Sequence, residues 1–320
     1  MQLTRIRTLT TAMVAAAGLL VPAVAVTSQV PAQAAGGAVY GKVVFVDDGD
    51  TVDVNVQGDG TSRPVRIRYI GVQAMELSVY SRTMSKLRGQ CWGVEAAKNL
   101  HSILYKRQVR LTSRHANSVS SVNVRPLRSV AVRQGGHWVD TGGLQIDAGL
   151  ALPDLRPDEY LKNGNYMMRG QRAAANHVGM YGDPAHCGAG PSQDDPLRIN
   201  INYDAQGNDA RNVNGEWVDI HNDGASPVSL NGWWIRDAAY RGTKAHGYEF
   251  PSSAVVQPGS KIRLHVGHGN NDADTFYWGL NVPIFANVTN NAKMMGDGAW
   301  MFDPDGDLRA YQMYPCRYAC

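Results

Sequence analysis

Two groups of charged residues near the start of the chain have side chains suited to acid–base and phosphate chemistry. The segment Asp47-Asp48-Gly49-Asp50-Thr51 precedes a run of alternating valines, and Arg68 and Glu76 follow near the end of the next alternating run. Carboxylates on a tight Gly-containing turn can bind a hard divalent cation such as Ca2+. A guanidinium can bind a phosphate through two hydrogen bonds, and a nearby carboxylate can act as base for water. Phosphodiester hydrolysis requires these parts; the alternative interpretation is a polar β-turn with solvated carboxylates.

A β-hairpin would bring these groups together. Val52, Val54 and Val56 alternate with polar residues, and after the turn-forming segment 57–60 the run 65–69 alternates again. Further along, apolar spacing and turn residues predict helices over 93–106 and 165–178 and strands over 109–112 and 127–132. Short strands interleaved with helices predict an α+β domain, built as a small β-barrel that carries helices on one side.

Composition and charge limit the class of protein. Of the 320 residues, 18% are charged and 43% are hydrophobic, which excludes coiled-coil, collagen-like and fully disordered chains. Residues 35–190 carry 19 Lys+Arg and 13 Asp+Glu, whereas residues 191–320 carry 10 and 15. A Gly/Pro/polar stretch, 188–196, predicts a linker between them. We therefore expect a basic domain that can bind a polyanion and an acidic domain that is not the main site of nucleic-acid binding.

The N-terminal segment predicts export. Arg5 and Arg7 precede an apolar run, 12–26, and the small residues Ala32 and Ala34 fit a signal peptidase site. Residues 1–34 are therefore interpreted as a secretory signal peptide, with an uncleaved anchor as the alternative. No later stretch is long and apolar enough for a transmembrane helix. We expect a secreted, extracellular protein with no membrane span in the mature chain.

The chain has four cysteines, Cys91, Cys187, Cys316 and Cys320, and all of them follow the signal peptide. An even number of cysteines in an exported protein is typical of disulfide bonds. Of three possible pairings, contacts within each half favour Cys91 with Cys187 and Cys316 with Cys320. Free buried thiols are the alternative, and a zinc site lacks the Cys-x2-Cys pair or His cluster that it requires.

Three blocks of the basic half resemble the staphylococcal-nuclease-like (thermonuclease) family across residues 39–187. They are the segment 41–52 with its Asp-Gly-Asp-Thr turn, the segment 65–76 and the segment 92–97, and 149–151 also matches. The resemblance implies an OB-fold β-barrel with helices. It also implies a calcium-dependent endonuclease that hydrolyses the phosphodiester bonds of DNA and RNA.

The resemblance assigns roles to individual residues of this chain. Asp50 matches the calcium aspartate, Arg68 the first catalytic arginine and Glu76 the glutamate proposed as general base. The second catalytic arginine of the family starts a strand in an Arg-x-Leu context, which Arg125 fits, with Arg128 as the alternative. For both arginines a surface position on a strand edge is the other interpretation.

Two departures from the family pattern change the expectation. Gln73 stands where the family has its second calcium carboxylate, and a neutral amide should weaken the Ca2+ site because affinity follows the charge of the ligands. Asp48 or Asp47 would compensate, with Gln73 as a supporting ligand. Val122-Asn123 replaces the Lys-Tyr pair with which the family binds a terminal phosphate.

The acidic half predicts an all-β fold. Short strand-like runs separated by Gly, Asn, Asp and Pro turns, among them the alternating segments 216–220 and 261–266 and the apolar segment 228–235, are typical of a β-sandwich. The segments 214–222, 230–237, 248–251 and 256–259 resemble the lamin-tail domain, an immunoglobulin-like sandwich, over residues 197–320. This resemblance implies binding or targeting, with a partner that the sequence does not identify.

Two further acidic segments of this half invite a metal interpretation. Asp303 to Asp307 is spaced like the start of an EF-hand loop but lacks the downstream Glu, so an acidic turn is the preferred interpretation. Asp204, Asp209 and Glu216 could bind a structural Ca2+.

The sequence thus predicts a secreted nuclease whose N-terminal barrel hydrolyses nucleic acid and whose C-terminal sandwich binds or positions it. The alternative is a catalytically weakened module that acts as an extracellular nucleic-acid-binding or adhesion protein, for which Gln73 is the motivating residue.

Overall fold

The structure is a computed structural model that describes residues 37–77, 89–120, 124–188, 196–238, 247–289 and 293–318. The predicted signal peptide, Val122-Asn123, Cys320 and most of the predicted linker lie outside these residues. In chain order, the elements of the N-terminal half are β1 Val39–Val46, β2 Thr51–Val56, β3 Val65–Tyr69, β4 Val72–Ala74, α1 Gly93–Leu104, β5 Gln108–Thr112, β6 Leu127–Gln134, β7 His137–Asp140, α2 Thr141–Asp147, β8 Ala151–Pro153 and α3 Asn163–Ala175.

The first sheet closes into a five-stranded barrel. Its strands follow the order β3-β2-β1-β5-β6, with β7 added beyond β6, and β3 pairs in parallel with β6 to close it. The predicted alternation places Val52, Val54 and Val56 inside the barrel, because successive side chains of a strand point to opposite faces. On the outer face of the hairpin, Arg66 donates two hydrogen bonds to Asp53, its partner in the β2–β3 register, at 2.8 and 3.0 Å.

Helices cover the barrel, as the sequence predicts. α1 buries Gly93, Ala96, Leu100 and Leu104, which recur at the three- and four-residue spacing of one helix face. The helix ends two residues earlier than the predicted 93–106, and α3 lies two to three residues ahead of the predicted 165–178. A separate two-stranded sheet, β4 with β8, joins the barrel to α2 and α3.

The C-terminal half is a β-sandwich. Its strands are β9 Leu197–Asn202, β10 Trp217–Asn222, β11 Val228–Ser229, β12 Trp234–Asp237, β13 Tyr248–Glu249, β14 Val255–Val256, β15 Lys261–His265, β16 Thr275–Tyr277, β17 Asp297–Phe302 and β18 Leu308–Tyr314. One sheet has the order β16-β15-β10-β9 and the other β13-β12-β17-β18, with a small β11–β14 pair. Buried side chains such as Trp233, Leu264 and Phe276 fill the space between them.

The single strand predicted over 228–235 is wrong. The structure breaks it into β11 and β12 at Asn231-Gly232, because Gly232 adopts a φ of 76° that continues no strand.

The two halves pack against each other. Gln171 of α3 donates a hydrogen bond to the Pro315 carbonyl at 2.8 Å and accepts one from the Arg317 amide at 2.7 Å. Trp300 and Met313 of the sandwich belong to the same buried cluster as the barrel core. The sequence predicts two domains joined by a linker, and these contacts add a shared apolar interface to that arrangement.

Cys91 and Cys187 form the predicted disulfide. The Asp307 carboxylate accepts hydrogen bonds from the backbone amides of Cys187 and Gly188, both at 3.1 Å. The sandwich therefore contacts the barrel side of the chain at this bond. The predicted Cys316–Cys320 pairing falls on Cys320, which is not among the described residues.

Candidate functional site

The Asp-Gly-Asp-Thr segment forms the tight turn between β1 and β2. The amides of Asp47 and Asp48 donate to the Thr51 carbonyl, and the Asp50 amide donates to Asp48 Oδ1 at 3.0 Å. A Cβ on Gly49 would lie 2.5 Å from the side chain of Ala74 and 2.6 Å from that of Ala96. The glycine is therefore required because the turn presses against both β4 and α1.

Gln145 of α2 fixes this turn and was not found from the sequence. Its buried side-chain amide donates to the Gly49 carbonyl at 2.7 Å and to the Ala96 carbonyl at 2.9 Å. Its Oε1 accepts a hydrogen bond from Asn99. An isolated glutamine in an apolar segment carries no sequence signal for this role, which depends on how α2 packs.

Asp50 lies at the centre of the site and is only 3% exposed. Its Oδ1 forms an ion pair with Arg68 Nη1 at 3.0 Å and accepts a hydrogen bond from the Thr51 hydroxyl at 3.0 Å. Its Oδ2 accepts the Ala74 amide at 2.7 Å. The β2–β3 register, which pairs Thr51 with Arg68, places these groups together as the predicted hairpin requires.

Arg68 is 6% exposed and joins Asp50 to the segment after β3. Nη1 donates to the Val72 carbonyl at 2.7 Å, and Nη2 donates to Gln73 Oε1 at 2.5 Å. Gln73 in turn donates through Nε2 to Glu76 Oε1 at 3.2 Å. Asp50, Arg68, Gln73 and Glu76 thus form one continuous chain of polar contacts, and the Gln73 oxygen is used by Arg68.

Glu76 is half-buried at the edge of this chain. Its backbone amide donates to Gln90 Oε1 at 2.9 Å, which holds the segment after β4 against the start of α1. Burial raises the pKa of Glu76, and the Asp50 charge raises it further, while Arg68, Arg236 and Arg125 lower it.

The three carboxyl groups of the site disfavour one another's ionisation. Burial raises the pKa of Asp50 to about 7, with Arg68 opposing and Asp48 adding to the increase. Burial also raises the pKa of Asp48, and Glu76 contributes. Arg68 is the one cation that forms an ion pair with them among the described residues. The surplus of negative charge favours a cation near Asp48 and Asp50, but among the described residues the ligand oxygens of Asp48, Asp50 and Glu76 do not all lie within 4.8 Å of one another.

The structure separates the two candidate arginines. Arg128 is 2% exposed and donates to the carbonyls of Ala116, Ser118 and Leu127 at 2.8, 3.1 and 2.7 Å. These bonds hold the loop before β6, and the burial of Arg128 contradicts the surface interpretation.

Arg125 has the opposite character. It is half-buried, Nη1 donates to the Thr51 hydroxyl at 3.4 Å, and Nε is buried with no partner in the described part of the chain. The Thr51 hydroxyl links it to Asp50, because this hydroxyl accepts from Arg125 and donates to Asp50 Oδ1. Arg128 Nε is buried without a partner among the described residues as well, so the difference between the two arginines is exposure: the Arg125 side chain is half-buried and that of Arg128 is 2% exposed.

The acidic segment from Asp303 to Asp307 forms a turn whose first carboxylate is fully hydrogen-bonded. Asp303 accepts the amides of Asp305, Gly306 and Asp307 through Oδ1, at 2.9 to 3.0 Å, and binds Arg309 through Oδ2. Its oxygens are used within the turn and by that arginine, in agreement with the predicted acidic turn.

Comparison with known proteins gives a match for the C-terminal half, in which two mostly antiparallel sheets enclose one core. Residues 191–314 match the family model of the Lamin Tail Domain. The Lamin Tail Domain match supports the predicted immunoglobulin-like sandwich and leaves the barrel without a family assignment. A comparison with curated proteins found no match to the chain. Within the described ranges, no helix combines the length and hydropathy that a membrane crossing requires.

Proposed function

We propose that this chain is a secreted, Ca2+-dependent nuclease that hydrolyses phosphodiester bonds of DNA, RNA or both at the Asp50 site. The observation that supports this most is the contact chain that joins Asp50, Arg68, Gln73 and Glu76, with Arg125 beside Thr51. The five-stranded closed barrel and the resemblance of residues 39–187 to staphylococcal-nuclease-like proteins point to the same reaction and to an OB-fold.

Each side chain has a role that its surroundings favour. Glu76, whose pKa is raised, is poised to take the proton of a water molecule as the water oxygen bonds to phosphorus. The bond from phosphorus to one ester oxygen then breaks and leaves a phosphate monoester, and the released alkoxide takes a proton from solvent to become a hydroxyl. The half-buried Arg125 guanidinium, whose Nη1 makes a long contact of 3.4 Å with the Thr51 hydroxyl, would turn its N–H groups to the phosphoryl oxygens. Arg68 holds Asp50 and Gln73 in place and adds positive charge.

Asp48 and Asp50 would hold the cation. When bound, Ca2+ supplies charge that stabilises the additional negative charge on the phosphoryl oxygens. The lamin-tail-like sandwich, whose half of the chain is acidic, acts in this proposal as a binding or targeting domain for an unidentified partner.

A second function is supported by Arg68 and Gln73. Because Arg68 is nearly buried and its Nη1 and Nη2 donate to Asp50, Val72 and Gln73, the site as it stands offers mainly Arg125 to a phosphate. This arrangement suits a nucleic-acid-binding or adhesion module that no longer cleaves.

One experiment tests both functions. The mature chain is incubated with supercoiled plasmid DNA and with single-stranded RNA, in Ca2+ and then in chelator, and retention on immobilised DNA is measured over a salt series. Arg125→Lys is compared with Arg133→Lys, an exposed arginine on β6, the strand that follows Arg125.

Cleavage that requires Ca2+ and falls in Arg125→Lys but not in Arg133→Lys supports the nuclease. Salt-dependent retention without cleavage in any divalent cation supports the binding module. Cleavage at full rate in chelator contradicts the proposed cation dependence.

A further inference from the structure

Glu216, which directly precedes β10, is a buried carboxylate with one unused oxygen. It is 0% exposed, and its Oε2 accepts the backbone amides of Ile284 and Phe285 at 2.9 and 3.3 Å. Its Oε1 is buried and has no hydrogen-bond partner within the described residues. A buried, unpaired carboxylate oxygen is costly, because nothing replaces the water that solvated it.

Asp209 has the same arrangement on the neighbouring segment. It opens a short 3-10 helix, and its Oδ2 accepts a hydrogen bond from Asn287 Nδ2 at 2.7 Å. Its Oδ1 is buried without a partner in the ranges that the structure covers. Glu216 and Asp209 therefore both hold the segment 284–287 with one oxygen and leave the other oxygen unused.

The surroundings of these two oxygens are negative. Neither carboxylate forms an ion pair among the described residues. Burial raises the pKa of Glu216 to about 7; the charges of Asp209 and Asp237 contribute to the increase, and hydrogen bonds from the Ile284 and Phe285 amides oppose it. The hydroxyl of Tyr314, itself buried, also lacks a partner and experiences the Glu216 charge.

We propose that Glu216 Oε1 and Asp209 Oδ1 bind one divalent cation of the Ca2+ class, separate from the Asp50 site. Hard carboxylate oxygens are the ligands that Ca2+ prefers, and its flexible coordination accepts water and carbonyl oxygens for the remaining positions. The half-exposed Asp209 gives water access. Bound there, the cation joins the start of β10 to the segment 284–287. Asp204, the third residue of the sequence-based hypothesis, is exposed, and this site does not require it.

The test measures Ca2+ binding and thermal unfolding on the full mature chain after removal of metal with chelator. Ca2+ alone is the probe, in equilibrium dialysis, and Asp50→Asn serves as the background that removes the other proposed site. In that background we expect one bound Ca2+ and, at a hundredfold excess over Kd, a rise in Tm of about 5 to 10 °C.

Glu216→Gln should abolish both the binding and the rise in Tm. Gln keeps an oxygen that accepts the Ile284 amide, so folding is expected to survive. Asp209→Asn, at a half-exposed position, is the second variant and should weaken binding at least tenfold. Asp272→Asn is the matched control, since Asp272 is exposed in the same domain and accepts backbone amides; its binding should equal that of the background.

Ca2+ binding and Tm shifts that are unchanged by both Glu216→Gln and Asp209→Asn would overturn the proposal. The absence of a Ca2+-dependent Tm shift in the Asp50→Asn background would also overturn it. A proton shared between the two carboxylates would then explain why Glu216 Oε1 and Asp209 Oδ1 have no other partner among the described residues. DNA cleavage is measured separately. If the protein does not cleave DNA, the nuclease proposal fails, but the number of Ca2+ ions bound in the Asp50→Asn background still tests the Glu216 site.

Discussion

Replacing Arg128 by alanine should destabilise the barrel without a direct effect on the chemistry. Replacing Arg125 by alanine should slow cleavage and leave the stability nearly unchanged. Arg128 donates three hydrogen bonds to backbone carbonyls from a position that is 2% exposed. Burial also lowers the pKa of Arg128, because its guanidinium has little contact with solvent.

The size of the effect follows from these contacts. A hydrogen bond from a charged donor contributes about 1.5 to 3 kcal/mol, but the carbonyls of Ala116 and Ser118 are half-exposed and can be rehydrated. We therefore expect Arg128→Ala to lower the free energy of unfolding by about 3 kcal/mol, which corresponds to a Tm lower by about 6 to 12 °C. Arg125→Ala loses one bond of 3.4 Å and removes an unpaired Nε, so its change should be below about 1 kcal/mol.

Thermal unfolding followed by circular dichroism, combined with plasmid cleavage at 25 °C, separates the two variants. Arg125→Ala should cleave about a hundredfold more slowly with its Tm unchanged, and Arg128→Ala should retain cleavage in proportion to its folded fraction. If Arg128→Ala kept the wild-type Tm and lost cleavage, or if the two variants lost the same stability, the assignment of roles would be refuted.

Three further changes have expected outcomes. Gln73→Asp adds a negative charge to the Asp50 site and should lower the Ca2+ concentration for half-maximal cleavage roughly tenfold; an unchanged Ca2+ titration would count against the site. Burial, reinforced by Asp237, raises the pKa of Asp297 well above its usual 3.8, so its folded form holds the proton more tightly and stability falls as pH rises above that value. The unfolding free energy of Asp297→Asn, measured in urea, should therefore increase relative to that of the wild type as the pH rises. Asp219 is the opposite control: burial raises its pKa, but hydrogen bonds from an arginine and a lysine outweigh that and lower it, so Asp219→Asn should cost stability near pH 7 and little near pH 3. Equal pH profiles for the two variants would contradict these signs. Cys91→Ser with Cys187→Ser opens a cross-link between residues 96 apart and should lower the unfolding free energy by about 4 kcal/mol; a loss under 1 kcal/mol in urea unfolding would show that the domain contacts alone hold this junction.

Local patterning predicted the hairpin that carries the site. The predicted runs 52–56 and 65–69 correspond to β2 Thr51–Val56 and β3 Val65–Tyr69, because period-two burial is a property of neighbouring residues. The meeting of Asp50 with Arg68 follows from that hairpin. The parallel pairing of β3 with β6 that closes the barrel joins residues about sixty positions apart. Sequence spacing carries no information on such a contact.

The roles of single polar residues were less predictable. Arg125 and Arg128 lie three residues apart in similar apolar surroundings, and only the path of the loop 116–118 determines which one is buried. Gln145 reads as an ordinary helix residue, yet the packing of α2 places it under the Gly49 carbonyl. In both cases the decisive partner is a backbone carbonyl distant in sequence, which side-chain types do not reveal.

The relation between the two halves was missed for a similar reason. Charge and linker composition predicted two domains, but the contact of Gln171 with Pro315 and Arg317 requires that α3 face β18. Neither segment has an unusual composition. The break at Gly232 was also missed, although the buried positions shift by one residue there: Val228 and Leu230 are buried before it and Trp233 and Ile235 after it.

Single-turnover cleavage of DNA by Glu76→Gln in saturating Ca2+, beside Glu95→Gln on α1 as matched control, tests whether Glu76 is the base of a hydrolytic site. The proposed mechanism predicts that Glu76→Gln binds DNA with a Kd within about twofold of wild type and cleaves at least a hundredfold more slowly, while Glu95→Gln is unchanged. Cleavage by Glu76→Gln at the wild-type rate would contradict it.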